Sequence, residues 1–246
     1  MPSDSPFLTC FELGVEKSEH PIKAWNRWGN LILGVLLTGA GIAALLVAVM
    51  SASITPGFVF LACLGFGGWC LWSAWHDWSQ AAAVFDRGIA VARGDDARQI
   101  PWEEVTAVWQ SITRHHTYGI HTRTTHLYSI QLADDTVYKF DDKFKDVETL
   151  GKAIQTSVTN TLYPKYIAAL KAGSRLEFGP LALDYNKLYA GKKELSWDEV
   201  KSVKIQGGYV SVKKDKGWFR WTNVGVPQIP NFFILYALLK EFGLVE

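Results

Sequence analysis

The sequence predicts an α+β membrane protein in which an N-terminal two-helix transmembrane hairpin precedes two small β-rich modules, each closed by a C-terminal helix. Three observations carry this. Two uncharged apolar runs, Asn30–Ala52 and Gly57–Ala74, lie near the N-terminus, separated only by Ser53-Ile54-Thr55-Pro56. Mixed polar sequence follows them. A short motif, Ile100-Pro101-Trp102-Glu103-Glu104-Val105-Thr106-Ala107-Val108, then returns as Leu195-Ser196-Trp197-Asp198-Glu199-Val200-Lys201-Ser202-Val203.

The N-terminal residues 1–29 precede the hairpin, which occupies 30–80. Each apolar run is near the roughly 20 residues that cross ~30 Å of hydrocarbon, and Pro56-Gly57 breaks the helix between them. The first run starts too late and is too long for a cleavable signal segment. Lys17, Lys23 and Arg27 precede the first span, Arg87 and Arg93 follow the second, and the connecting loop is uncharged. The positive-inside rule therefore predicts both termini in the cytoplasm.

Tryptophans mark the same interface. Trp25 and Trp28 flank the entry to the first span, while Trp69, Trp72, Trp75 and Trp78 cluster at the exit of the second. Indoles are most stable at headgroup depth, so Trp25, Trp28, Trp72, Trp75 and Trp78 are expected to anchor the hairpin. His76 beside Asp77 reads as a snorkelled interfacial pair. Gly34, Thr38, Gly39, Gly41, Ala44 and Ala48 in the first span, with Cys63, Gly65, Gly67 and Gly68 in the second, predict close helix–helix packing. Neither run contains Asp, Glu, Lys, Arg or His, which argues against an ion or proton pathway.

The bulk numbers set outer bounds. Net charge is +1 and mean hydropathy +0.04, so no global field calls for nucleic acid. The cationic excess is confined to residues 174–246. Of the three cysteines, Cys63 and Cys70 read as small packing residues within the second span and Cys10 is isolated, giving neither a disulfide framework nor a zinc site.

The repeat divides the remainder into modules at 81–173 and 174–246. Trp102, Glu104, Val105 and Val108 return identically as Trp197, Glu199, Val200 and Val203, and the motif reads as a strand in each copy. Before it come short β-like stretches, Val84–Arg93 and Leu176–Ala190. After it come hairpins: His126–Leu132 turns at Asp134-Asp135 into Val137–Phe140, and Gly208–Lys214 joins Trp218–Trp221 across Asp215-Lys216-Gly217. Each copy then ends in a helix. The first starts near Asp146 with Val147, Leu150, Ile154, Val158 and Leu162 on its apolar face, and Pro164 starts or kinks a further piece that stops at Gly173. The second runs from Pro230-Asn231 to Phe242 and stops at Gly243.

Hairpin first, two Trp-Glu/Asp-Glu-Val segments, and Ile229-Pro230-Asn231 leading into a Leu-rich helix: this pattern resembles the bacterial pleckstrin-homology-like (PH-like) domains. It resembles in particular the largely uncharacterised families in which a membrane hairpin carries such modules. The resemblance implies two small PH-like β-barrels at a bacterial cytoplasmic membrane, and no agreed chemistry. One departure is the polar insert Ser111–Thr125 of the first copy, which has no counterpart in the second.

Three constellations are candidates for chemistry. His115, His116, His121 and His126 crowd the insert, but successive positions alternate faces on a strand and Arg114 and Arg123 would repel a cation, so a polar hairpin is expected rather than a metal site. Asp134, Asp135, Asp141, Asp142 and Asp146 are interleaved with Lys139, Lys143 and Lys145, and read as turn and helix-start residues. The sharpest candidate is the hairpin 213–221, where Lys213, Lys214, Lys216 and Arg220 surround Trp218, Phe219 and Trp221. Cations with indoles suit anionic lipid heads or a partner surface, and in eukaryotic relatives of the resembled fold a basic hairpin of this kind grips phosphoinositides. Lys192, Lys193, Lys201 and Lys204 extend the basic face.

No nucleophile elbow, phosphate-binding glycine loop, zinc-protease helix or dinucleotide fingerprint is present. The expectation is a non-catalytic scaffold or accessory subunit with no cofactor, no metal and no small-molecule substrate. Its partners would be membrane lipids and a membrane-protein complex. The alternative is a sensor of anionic lipid through residues 213–221.

Overall fold

Helices α1 (Ala24–Ser51) and α2 (Thr55–Trp78) form the apolar hairpin. The computed structural model describes Phe7 and residues 10–51, 55–78, 80–93, 96–117, 120–216 and 219–245. Ala24–Met50 and Gly57–His76 are each long and apolar enough to cross a membrane, and only 11% and 17% of their apolar windows are buried. A core helix of a water-soluble protein would be largely covered; these present Leu, Ile, Val and Phe outward.

Small residues set how closely the two helices approach. A Cβ on Gly34 would fall 2.7 Å from Leu71 Cγ, one on Gly67 2.9 Å from Thr38 Oγ1, and one on Gly41 3.1 Å from Cys63 Cβ. Cys70 and Ala74 complete the buried seam. Gly39, Gly65 and Gly68, expected in the same seam, instead have open space where a side chain would go. Their helical phase puts them on the outer face.

The hairpin interrupts a sheet. Strand β1 (Glu16–Pro21) pairs antiparallel with β2 (Gln80–Phe85), and β3 (Gly88–Arg93) and β4 (Asp96–Pro101) continue the order β1-β2-β3-β4. Both helices thus lie within the connection between two adjacent strands. Against this sheet Phe7, Cys10 and Leu13 pack on Ala81, Ala83, Phe85, Ala90 and Ala92. Buried His20 in β1 faces the Lys145 carbonyl at 2.9 Å and Ser18 Oγ at 3.0 Å. These elements, with Lys143–Lys145, make one compact unit that ends at Gln99.

The second unit opens with the repeated motif. Trp102–Glu104 and Trp197–Glu199 are 3-10 turns, not the strands expected; in each, the following Val N–H closes on the Trp carbonyl. Strand begins only at Val105 and Val200. Each turn ends one sheet and starts the next. The described strands accordingly form four separate antiparallel sheets, and no closed barrel is present among them. The expected closure into two small barrels is not seen among the described strands.

After the first turn come β5 (Val105–Thr117), β6 (Ile120–Leu132) and β7 (Val137–Asp141), then α3 (Val147–Lys171). The insert 111–125 therefore extends the arms of β5 and β6. Helix α3 runs unbroken through Pro164 and stops where Gly173 takes φ +82°. The second copy has β8 (Leu176–Phe178), β9 (Leu181–Leu183), β10 (Lys187–Ala190) and β11 (Lys193–Ser196) in one sheet, and β12 (Val200–Gln206), β13 (Tyr209–Lys214) and β14 (Arg220–Gly225) in another. Helix α4 (Phe232–Glu241) closes it. Four strands, a 3-10 turn, three strands and a helix occur twice in the same order. In this order the two-residue turn Gly179-Pro180 between β8 and β9 occupies the place that the apolar hairpin takes between β1 and β2.

Helix α3 also joins the second copy. Tyr163 donates to Glu241 of α4 at 2.6 Å, and the Tyr166 ring lies 5.5 Å from that of Phe178. Burial, with the carboxylate bond, pushes the Tyr163 phenol up to about 12.

Candidate functional site

Strand β5 is the outer strand of its sheet, bonded to β6 alone. Backbone groups of alternate residues on such a strand point away from the neighbour. Val108 identifies the outward set: its carbonyl accepts from the Asn231 N–H at 2.8 Å and its N–H donates to Asn231 Oδ1 at 3.0 Å. Asn231 Nδ2 donates to the Thr106 carbonyl, also at 3.0 Å, and reaches the Tyr166 hydroxyl. Thr106 and Val108 are thereby covered by the start of α4. Gln110, Ile112 and Arg114, in the same phase, have no backbone partner on that side among the described residues.

Beside this open half-edge lies a groove of about 460 Å³, walled by Gln110 and Ile112 of β5, by Thr156, Thr159 and Asn160 of α3, and by Phe233. Tyr128 and Gln155 form its floor; Gln155 donates to Gln110 Oε1 at 2.7 Å. Gly151 of α3 lets the helix sit on Tyr128, since a Cβ there would be 2.1 Å from the ring. Burial raises the Tyr128 phenol, and the carboxylates of Glu148 and Asp142 add to this. At one end Glu148 is bonded to Lys152 at 2.6 Å, and that bond and charge lower the Glu148 carboxyl. The pair leaves the groove without net charge. Ile112 is 48% exposed. Sequence reasoning missed this groove because β5 and α3 are brought together only by the fold. The one local signal was Gly151, an interruption in an otherwise regular amphipathic helix.

The predicted basic hairpin is present as β13 and β14. Lys213, Lys216 and Arg220 are exposed, with Lys213 and Arg220 opposite each other in register. Lys214 is engaged by Glu199 at 2.9 Å. Trp218 and Gly217 lie outside the described residues. Phe219, 88% exposed, sits next to them.

The tryptophans expected to anchor the hairpin sit at its open end. Trp25 and Trp75 are 82% and 77% exposed, and Trp72 also faces outward. Trp28 and Trp78 meet edge-to-face at 5.1 Å, and Arg27 donates to the Trp78 carbonyl at 3.3 Å. His76 is bonded by Gln80 and Arg93; the Asp77 side chain lies outside the description.

In the histidine-rich insert, His115 and His121 meet Thr125 and Thr124, and His126 pairs with Asp142 at 3.1 Å. The His116 side chain lies outside the described residues. Among the described residues no three His, Cys, Asp or Glu side chains converge on a cation site. Of the acidic stretch, Asp134 accepts from the Thr136 N–H, Asp135 takes φ +62°, and Asp146 precedes α3 at φ +51°.

No curated protein matches the chain. Residues 15–244 match the family described as "Family of unknown function (DUF6585)", a span that takes in the hairpin, both repeats and the groove. The chain belongs to that family.

Proposed function

We propose that this protein is a non-catalytic, membrane-anchored scaffold or accessory subunit whose soluble modules, PH-like in their strand-and-helix order, bind a protein partner in a larger membrane complex. The observation that carries the reading is the position of the apolar hairpin inside the β1–β2 connection. Both of its ends are strands of one sheet, so that sheet would be tied to the bilayer at two points rather than by a single linker. A sheet anchored in this way suits a protein that works beside a membrane neighbour. The proposed setting is a bacterial cytoplasmic membrane with both termini and the modules in the cytoplasm, supported by Lys17, Lys23, Arg27, Arg87 and Arg93 on one side of the hairpin.

The test is extraction of the full chain at native abundance into mild detergent, followed by native gel separation. The reading expects a discrete species larger than one chain in its micelle. A partner-free monomer counts against it. Orientation is tested with Lys216→Cys and an impermeant maleimide, which should label inverted vesicles and spare intact cells.

Exposed Phe219 among Lys213, Lys216 and Arg220 favours a second reading, in which this hairpin senses anionic lipid. An environment-sensitive dye on Phe219→Cys should then shift to the blue in nanodiscs of phosphatidylglycerol and not in phosphatidylcholine. Lys213→Glu with Lys216→Glu, or high salt, should abolish the shift. An identical spectrum in both lipids removes this reading.

A further inference from the structure

We infer that the outer edge of β5 from Gln110 to Arg114 is a docking strand for an extended, uncharged peptide segment of another protein, whose apolar side chains enter the groove against α3. The inference rests on the scaffold reading above and names the chemistry of its partner.

Part of this edge is already paired within the chain, by one residue and not by a strand. Asn231 makes the two-bond exchange with Val108 that a paired strand would make. The next outward positions, Gln110, Ile112 and Arg114, repeat that presentation with nothing on it among the described residues. Proteins ordinarily blunt such an edge with proline, inward charges or a bulge. Here 109–114 reads Trp-Gln-Ser-Ile-Thr-Arg, with no proline and one terminal charge, and the register shifts of the strand lie outside it, at Val105/Ala107 and His115/His116. Trp109, Ile112 and Thr113 favour the strand, and Arg114 at its end carries the one charge on this edge.

The groove supplies specificity. A peptide added beside Gln110–Arg114 would span about five residues and turn alternate side chains toward α3. They would meet Ile112, Phe233 and Tyr128 with the hydroxyls of Thr156 and Thr159, in a volume within the ordinary range for ligand sites. Glu148 and Lys152 neutralise each other, so a charged side chain finds no counter-ion there.

The test uses the full chain in lipid nanodiscs and, as probe, a display library of random linear peptides of about ten residues. Two variants act on different parts of the site. Ile112→Pro removes an outward N–H while leaving the β5–β6 ladder its bonds, and Thr159→Trp fills the groove from α3 without touching the edge. The expected result is enrichment of uncharged sequences with alternating apolar residues, whose affinity falls about tenfold or more in both variants and on N-methylation of alternate peptide amides. Absence of enrichment overturns the inference, as does binding that either folded variant leaves unchanged. A concentration-dependent dimer abolished by Ile112→Pro assigns the edge to a second copy and also overturns it. Native partners that still co-purify with Ile112→Pro would refute this docking strand while leaving the scaffold reading intact; absence of partners from the unaltered chain would refute the scaffold reading itself.

Discussion

Asn231 and Val108 are joined by a reciprocal pair of hydrogen bonds, 2.8 Å from the Asn231 N–H and 3.0 Å to its side-chain oxygen. Asn231 holds φ +51° and is buried. It therefore fixes the start of α4 to the strand of the other repeat copy. Asn231→Gly keeps the left-handed backbone and loses the side-chain bonds, which is expected to cost about 2 kcal/mol. Asn231→Ala adds left-handed strain of about 1 kcal/mol. Thermal unfolding in detergent, followed by near-UV circular dichroism, should rank unaltered chain, Gly and Ala in descending stability. Equal losses would remove the strain argument.

Gly151 shows how context reverses propensity. Glycine to alanine inside a helix ordinarily stabilises by about 0.5–1 kcal/mol. Here the new methyl would strike the buried Tyr128 ring, so Gly151→Ala is expected to destabilise by about 1–3 kcal/mol. Tyr128→Val should relieve the clash, making the double variant more stable than the sum of the single changes predicts.

Within the hairpin, Gly67 and Gly68 are neighbours with opposite surroundings. Gly67→Leu must push α1 and α2 apart and should lower the melting temperature in detergent by several degrees, of the order given by about 1–3 kcal/mol. Gly68→Leu points away from the seam and should leave it unchanged. If both lower it equally, the observed hairpin seam is wrong.

Asp184 is the partly buried carboxylate whose pairing should make the fold sensitive to acid. Burial raises its carboxyl, but bonds from Tyr189, the N–H groups of Asn186 and Lys187, and the Lys187 charge outweigh it, so the net shift is downward. A carboxylate held below its ordinary value stabilises the fold above about pH 4 and loses that contribution as pH falls through its native value. Asp184→Asn should flatten the stability profile below about pH 4, and cost about 1 kcal/mol at neutral pH through the weakened turn.

The hairpin was legible because two uncharged apolar runs of membrane-spanning length stand apart from the mixed polar sequence after them. Helices α3 and α4 were legible from their apolar faces, and the β6–β7 and β13–β14 hairpins from alternation and turn residues. Strand β1 was not: Glu16-Lys17-Ser18-Glu19-His20-Pro21 has no apolar period, and it is a strand because β2 offers it a backbone ladder. Strand β4 was missed for the same reason, its Asp96-Ala97-Arg98-Gln99 being polar. The repeated Trp motif was found but misjudged, since Trp and Val favour strands while a turn depends on where two sheets part. The basic hairpin was visible as composition. The groove was invisible because an open strand edge is a property of the sheet's order, not of the strand's residues.

Whether this chain holds a protein partner at the membrane is decided by quantitative mass spectrometry of what co-purifies with the natively expressed chain in mild detergent. A small set of membrane-associated proteins at fixed stoichiometry is expected; recovery of the chain with lipid alone would refute the proposed scaffold role.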